Sequence, residues 1–441
     1  MDRRPRTRLD ADVLVVGGGA AGVAAAITAA RQGLDVVLIE RYGFCGGGAV
    51  AGLSGTVCGL YEATDRRANG PKQVVFGFAD EFCQRLEAMG GLADPVVYGK
   101  TWTRVHDPLV WRDAADSFVR EAGVQVIFHG VVFGVHMDGD TVQGLEVWTK
   151  EGIVDARAPI VIDASGDADV VAMAGLPFNI GDNGRVQNPT MIFRLLGVDT
   201  EKFSATYGMD TIMPPEVTEI ILAAQRDKTY DLPRAKIWLF LTTRPGELLC
   251  NCTRVIGPDG RELNTLYWKD FSDAELEGRK QVREYARFFR DNLVGCENSF
   301  VNDTGVQVGV RQTRQIGGVH TLMNDDVVKG IKSLDGIARS PWPIELHAGA
   351  KPRVEWLLDD YYEVPFGCFV PERGEGLLAA GRCLSAQHEA VASARVTAQC
   401  FSYGHAIGHA AAIAVKEKIS PRKIQGRDIR AVLNGDGARL D

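Results

Sequence analysis

Short apolar runs, broken by glycine turns and separated by alanine-rich helical stretches, recur along the chain, the alternation expected of an α/β protein. The clearest case is Asp12 to Glu40, DVLVVGGGAAGVAAAITAARQGLDVVLIE. A β-branched run leads into a glycine turn, an alanine-rich helix and a second apolar strand, which predicts a βαβ unit. Downstream, Asp107 to Gly123 has the periodicity of an amphipathic helix. The stretch VQVIFHGVVFGVHMDGDTVQGLEVWT reads as strands and a hairpin turning at Asp138 to Asp140. A further apolar strand, Ile160 to Ile162, ends in Ala164, Ser165, Gly166 and Asp167, and another, near Leu377 to Gly381, leads into a long alanine-rich helical pattern that starts at His388.

Val13 to Ala30 carries no charge over eighteen residues and follows Arg3 and Arg4, as a membrane span or a twin-arginine signal would. Three consecutive glycines interrupt the run, and much of the rest is weakly hydrophobic alanine, so strand, turn and helix explain it better. Residues 1–10, MDRRPRTRLD, are expected to be a frayed basic arm.

Chemistry enters with the glycines. Gly17, Gly19 and Gly22 occupy the G-x-G-x-x-G positions. The first permits a tight turn, the second lets backbone approach a pyrophosphate, and the third lets helix pack on strand. The phosphate then meets the unpaired N–H groups at the helix N-terminus. Glu40, about 20 residues on, can accept hydrogen bonds from ribose hydroxyls and would repel a 2′-phosphate.

The βαβ unit alone does not separate NAD from FAD. The loop ERYGFCGGGAVAG places a second glycine cluster, Gly46 to Gly48, straight after the second strand, which suits a cofactor lying extended through the protein. The Ala164 to Asp167 strand end is similar to the second FAD fingerprint of flavoproteins, with Ser165 where threonine is more usual. The Leu377 to Gly381 strand end, in the same resemblance, delivers the ribityl contact, and the helix that follows aims its positive end at the flavin.

Composition narrows the setting. The 441 residues allow one large or two interleaved domains, and 45% hydrophobic with 24% charged residues is globular usage. A net charge of -8 gives no general attraction for nucleic acid or anionic lipid, so neither is expected as a partner. Nine cysteines include no C-x-x-C pair, which disfavours zinc knuckles and iron–sulfur subunits. An odd cysteine count points to a reducing, cytoplasmic setting.

Four stretches carry a family resemblance: ERYGFCGGGAVAG, NPTMIFRLLGVD, VGVRQTRQIGGVHTLMNDDV with PIELHAG, and VPFGCFVPERGEGLLAAGRCLSAQHEAVASARV. Through them the chain resembles FAD-dependent oxidoreductases of the succinate dehydrogenase and fumarate reductase flavoprotein type, and more closely a FAD-oxidored branch. The resemblance implies a Rossmann-like, glutathione-reductase-type FAD domain built from both ends of the chain, residues 11–175 and 361–441. An α+β substrate domain, 176–360, is inserted between them. It also implies that Gly17, Gly19, Gly22, Glu40, Arg41, Gly46, Gly47, Gly166, Asp167, Gly381 and Arg382 face FAD. Two departures stand out. Arg382 replaces the aspartate usual after the C-terminal glycine, and the histidine that tethers flavin in succinate dehydrogenases is missing.

Transfer of hydride to or from a flavin needs a substrate clamp and a proton donor or acceptor. Arg194, Arg311 and Arg314 are candidate clamps for an anion, with Arg311 first, and His320 follows them. His347 and His388 are the acid–base candidates, Glu389 accompanying the latter. Cys45 sits in the second glycine loop as a packing residue, a redox thiol or a thioether tether, and a disulfide with Cys58 is conceivable. His405 and His409 are spaced i, i+4 but lack an H-E-x-x-H pattern, so no metal is expected there. The expected function is hydride transfer between FAD and a small polar, anionic substrate by a dehydrogenase or reductase. An oxidase or monooxygenase is the alternative, an electron-transfer subunit is disfavoured, and the electron partner and any homo-oligomer are left open.

Overall fold

The computed structural model describes residues 5–346 and 353–441. The βαβ unit forms as expected, from Val13–Val16 through helix Ala20–Arg31 to Val36–Glu40. Its strands are buried on both faces, as parallel strands covered by other layers must be, which is why they read as unbroken apolar runs. They sit in a five-stranded parallel sheet ordered Leu377–Ala379, Ile160–Asp163, Val13–Val16, Val36–Glu40 and Gln125–Phe128. Chain from near the C-terminus thus completes the sheet. Strand order reverses beside Val13–Val16, so a crevice opens beyond the strand ends there, where ligands of such sheets bind.

Helix Ala20–Arg31 lies directly on helix Thr397–Glu417. A Cβ at Gly404 would stand 2.0 Å from the Ala21 carbonyl oxygen, and one at Gly408 would stand 2.6 Å from Thr28 Cβ. Backbones that close leave no room for long side chains, which accounts for the alanine content of both helices.

Asp107 caps helix Pro108–Ala122 by accepting from the Leu109 and Val110 amides, and Gly123 closes it in the left-handed region at φ +74°. The hairpin Val131–Asp138 with Thr141–Trp148 turns at Gly139 and Asp140. The basic arm differs: Arg6–Asp10 is a strand, paired parallel with Ile153–Arg157 at the edge of that antiparallel sheet. Its backbone finds ladder partners there, and Arg6 reaches Glu146 at 2.7 Å, so this part of the arm does not fray.

The C-terminal helical pattern also differs, forming two helices, His388–Ala394 and Thr397–Glu417, with Val396 extended between them. Mid-chain residues build a separate antiparallel sheet, Trp238–Leu241, Glu247–Asn251, Phe193–Leu196 and Phe300–Thr304 in that order. Its hydrophobic core includes Phe193, Leu248, Phe288 and Phe289, the last two from helix Trp268–Asn292. Among the described residues no helix is long and apolar enough to cross a membrane.

Candidate functional site

A cleft of about 390 Å³ runs from the glycine turn of the parallel sheet to the edge of the mid-chain sheet. At its first end the glycines do separate tasks. Gly17 has φ +99°, and a Cβ there would lie 2.5 Å from the Ala164 carbonyl oxygen. At Gly22 a Cβ would lie 1.8 Å from the Gly17 oxygen, so helix and turn are in backbone contact. Gly19 is different, because a Cβ there would meet no protein atom nearer than 3.8 Å. Packing within the chain does not demand glycine at that position; the space belongs to the cleft. The helix that starts beside it has no side-chain cap, so its first N–H groups are available to an anion.

The second glycine loop closes on the first. The Gly46 amide donates to the Gly18 carbonyl at 2.7 Å, and a Cβ on Gly47, at φ +45°, would come within 2.9 Å of Gly19 Cα. Glu40 is buried beneath both loops and accepts from the Gly18 amide at 2.7 Å and the Tyr42 amide at 2.8 Å. Burial raises its pKa, against those two amides. Each oxygen keeps a further lone pair for a ribose hydroxyl.

The Ser165 turn is organised by Asp163, a residue the sequence reading did not single out. Its carboxylate accepts from the Ser165 amide and hydroxyl and from the Val170 and Val171 amides. Burial nevertheless pushes its pKa up to about 6. Four residues on, Asp167 pairs with Arg382 at 2.8 Å and accepts from the Thr313 hydroxyl at 2.6 Å. Burial favours the acid form of Asp167, but the Arg382 charge and the two hydrogen bonds outweigh it and hold the pKa below the usual range. Asp167, Gly381 and Arg382 all line the cleft. A carboxylate thus stands beside Arg382 in space, supplied by the end of the neighbouring strand.

These features fit an extended FAD: open helix N–H groups and Gly19 for the pyrophosphate, Glu40 for the adenosine ribose, and Asp167 with Gly381 farther along. Cys45 lies outside the cleft lining, packed under Gly18, and burial raises its pKa far into the thiol form. Cys58 lines the cleft, pushed up to about 11 by burial and hydrogen-bonded to Thr56 and Thr103. Both are free cysteines.

At its other end the cleft is lined by Tyr98, Arg311, Trp342, Glu345 and Arg395. Arg311 Nη1 donates to the Asn188 carbonyl at 2.7 Å, Tyr98 donates to Glu345 at 2.9 Å, and Arg395 donates to Gln187 at 3.4 Å. Arg395 Nε and Trp342 Nε1 are buried without a hydrogen-bond partner among the described residues. Burial first, and then the charges of Arg395 and Arg234, drive the Arg311 pKa well below its ordinary value. Burial lowers Arg395 too, with Glu345 opposing. Crowded guanidinium groups with spare donors have the chemistry to bind an anion.

The other sequence candidates lie elsewhere. Arg194 is committed to Asp303, at 2.8 Å through Nε, and to Glu247, and it does not line the cleft. Arg314 bonds the Asp167 carbonyl at 2.9 Å and Asp169 at 3.0 Å behind the FAD loops. His320 is exposed, and His388, half-buried and lowered by burial, faces Asp182 outside the lining. His347 lies outside the described residues. Arg395, Glu345 and Tyr98 were not among the candidates read from sequence. The signal for the first two was a lone charge in a stretch without other charges, AVASARV and PIEL; Tyr98 carried none.

The chain matches the FAD dependent oxidoreductase family over residues 12–433. A urocanate reductase from Eggerthella lenta is 56% identical over 46 residues, which cover 10% of this chain and 7% of that protein. A geranylgeranyl bacteriochlorophyll reductase-like protein from Thermoplasma acidophilum superposes with a TM-score of 0.51 at 15% identity, covering 98% of this chain and 85% of that one. The flavin-dependent brominase Bmp2 gives a TM-score of 0.51 at 15% identity, covering 97% and 83%. The two structural likenesses show the fold.

Proposed function

Because the chain belongs to the FAD dependent oxidoreductase family, we propose that this FAD-dependent enzyme is a dehydrogenase or reductase for a small anionic organic substrate, held at Arg311 and Arg395. FAD, when bound, supplies the centre that takes up or gives a hydride. The one observation that carries the substrate class is the buried, cation-rich end of the cleft, where Arg311 and Arg395 line the same space as Trp342 Nε1.

Each residue has a task. Arg311 and Arg395 bind a carboxylate or other oxyanion, and the anion restores the charge balance that their own repulsion disturbs. Trp342 Nε1 and Arg395 Nε complete the donor set and fix orientation. Burial and the neighbouring Glu345 raise Tyr98 well above its ordinary value, so its phenol keeps the proton and acts as a donor. The mid-chain segment 176–360 is the proposed substrate domain, since it brings Arg311, Trp342 and Glu345 to the cleft. His347, two residues after Glu345 in the chain, is the proposed acid–base group.

Anaerobic mixing of the FAD-loaded enzyme with a panel of small carboxylates, alcohols and amines tests the substrate class. Carboxylates alone are expected to bleach the flavin band, or to restore it in the reduced enzyme. A response confined to uncharged alcohols or amines would refute the anion-binding role of the arginines.

A further inference from the structure

We propose that His405, His409 and Asp436 bind a divalent transition metal ion of the zinc or cobalt type, clipping the C-terminal helix to the core. The sequence shows two histidines one turn apart and no acid at a metal-site spacing. The fold supplies the acid from the end of the last helix, Gly426–Gly435. The histidines lie on Thr397–Glu417, none of the three residues lines the cleft, and the site is therefore separate from the flavin chemistry.

His405 Nε2 and His409 Nε2 approach the same oxygen, Asp436 Oδ2, at 3.2 and 2.7 Å, so both ring edges aim at one point. One ligand atom from each of the three residues falls within 4.8 Å of the others. Nitrogen–zinc bonds of about 2.0–2.1 Å are reached from there by a small movement of the carboxylate. Such movement costs little, because Asp436 ends a helix and its side chain is 46% exposed, whereas the histidines are 8% and 3% exposed and fixed by packing. The partly open carboxylate also leaves a coordination position for water.

The donor chemistry agrees. Two imidazoles and one carboxylate favour zinc, cobalt or nickel over magnesium or calcium, which take all-oxygen sets. A metal takes each imidazole as the neutral ring. On binding, each neutral imidazole carries its proton on Nδ1 and turns the Nε2 lone pair to the ion. Asp436 Oδ2 already faces both rings, in the place a cation would share. Two cations act on the cluster: Lys416, on the histidines' own helix, and Arg31. The latter is neutralised by Glu81, with contacts of 2.7 and 2.9 Å.

FAD-loaded enzyme stripped with a chelator and titrated with cobalt(II) is expected to saturate at one equivalent, with ligand-field bands to the red of the flavin absorption and a raised Tm. Calorimetry with zinc should show the same stoichiometry. Loss of a ligand should cost at least about 100-fold in affinity, since removing an outer partner alone costs 10–100-fold. Both Asp436→Asn and His409→Asn should show it, and Asp436→Asn, on an exposed turn, keeps the fold and the flavin spectrum as a control. No saturable uptake, uptake unchanged in either variant, or intense thiolate charge-transfer bands from the cysteines would each overturn the assignment.

Discussion

At the glycine end of the cleft, Gly17, Gly19, Gly22 and Glu40 lie within a single βαβ unit, and the groups offered to a ligand are mostly backbone amides. At the arginine end, Tyr98, Arg311, Glu345 and Arg395 arrive from four separated stretches, and the groups offered are side chains. One end is a local backbone geometry, reproducible wherever the same spacing occurs. The other exists only after those four stretches have come together. A dinucleotide-binding turn is accordingly encoded by a few neighbouring residues, while the proposed anion site depends on how distant segments meet.

The sharpest way to break the first end is Gly17→Val. The turn sits at φ +99°, and the new Cβ would be 2.5 Å from a backbone oxygen that cannot move without shifting the Ser165 strand end. A β-branched residue in that region is strained in any case. The purified variant is expected to be colourless and to take up no added FAD. A yellow variant with an unchanged flavin spectrum would show that the turn is not what holds the cofactor.

A second experiment addresses Asp163, which ties the next strand end together. Unfolded, this carboxyl loses its proton near pH 4; in the fold it does so near pH 6. The folded chain therefore holds an extra proton between those values, and its stability falls by about 3 kcal/mol as pH rises through 6, being full below 4. Asp163→Asn should be less stable throughout, because Asn cannot accept four donors, yet its unfolding free energy should lose that slope. An unchanged slope in denaturant titrations at pH 4 to 7 would locate the proton elsewhere.

The arginine end is expected to respond in the substrate constant and not in the cofactor. Arg311→Ala or Arg395→Ala should raise KM for an anionic substrate about 100-fold, equivalent to about 2.7 kcal/mol, with the flavin spectrum nearly unchanged. If FAD is lost instead, that arginine serves the cofactor and the two ends are not separable.

How much of this was legible in the sequence follows from the same contrast. Gly17, Gly19, Gly22, Glu40 and the hairpin at Gly139 are encoded by spacing over a few residues, where propensity and sterics decide. Arg6–Asp10 was misleading, because an arm rich in arginine looks solvated until an edge strand, Ile153–Arg157, offers it a ladder. Arg194 looked like a clamp for the same reason: nothing nearby in the sequence reveals that Asp303 stands 2.8 Å away. Arg395 was hidden by its helical surroundings. Only the break at Val396 turns it into the cleft, and a break between two alanine-rich stretches leaves no glycine or proline to mark it.

The smallest effect is expected at His388, and it sharpens the comparison because the sequence places this residue beside the arginine end. In the fold it opens a short helix, half-buried, with Asp182 as its first electrostatic neighbour and its side chain outside the cleft. Burial lowers its pKa, so it is neutral near pH 7, yet a neutral base helps only if a reacting atom comes within reach of hydrogen bonding. From outside the lining it has no such reach. His388→Asn should therefore change kcat and KM by no more than about twofold and leave the pH profile of kcat/KM in place. A shift of that profile, with FAD and fold intact, would mean that the helix His388–Ala394 moves into the cleft during turnover.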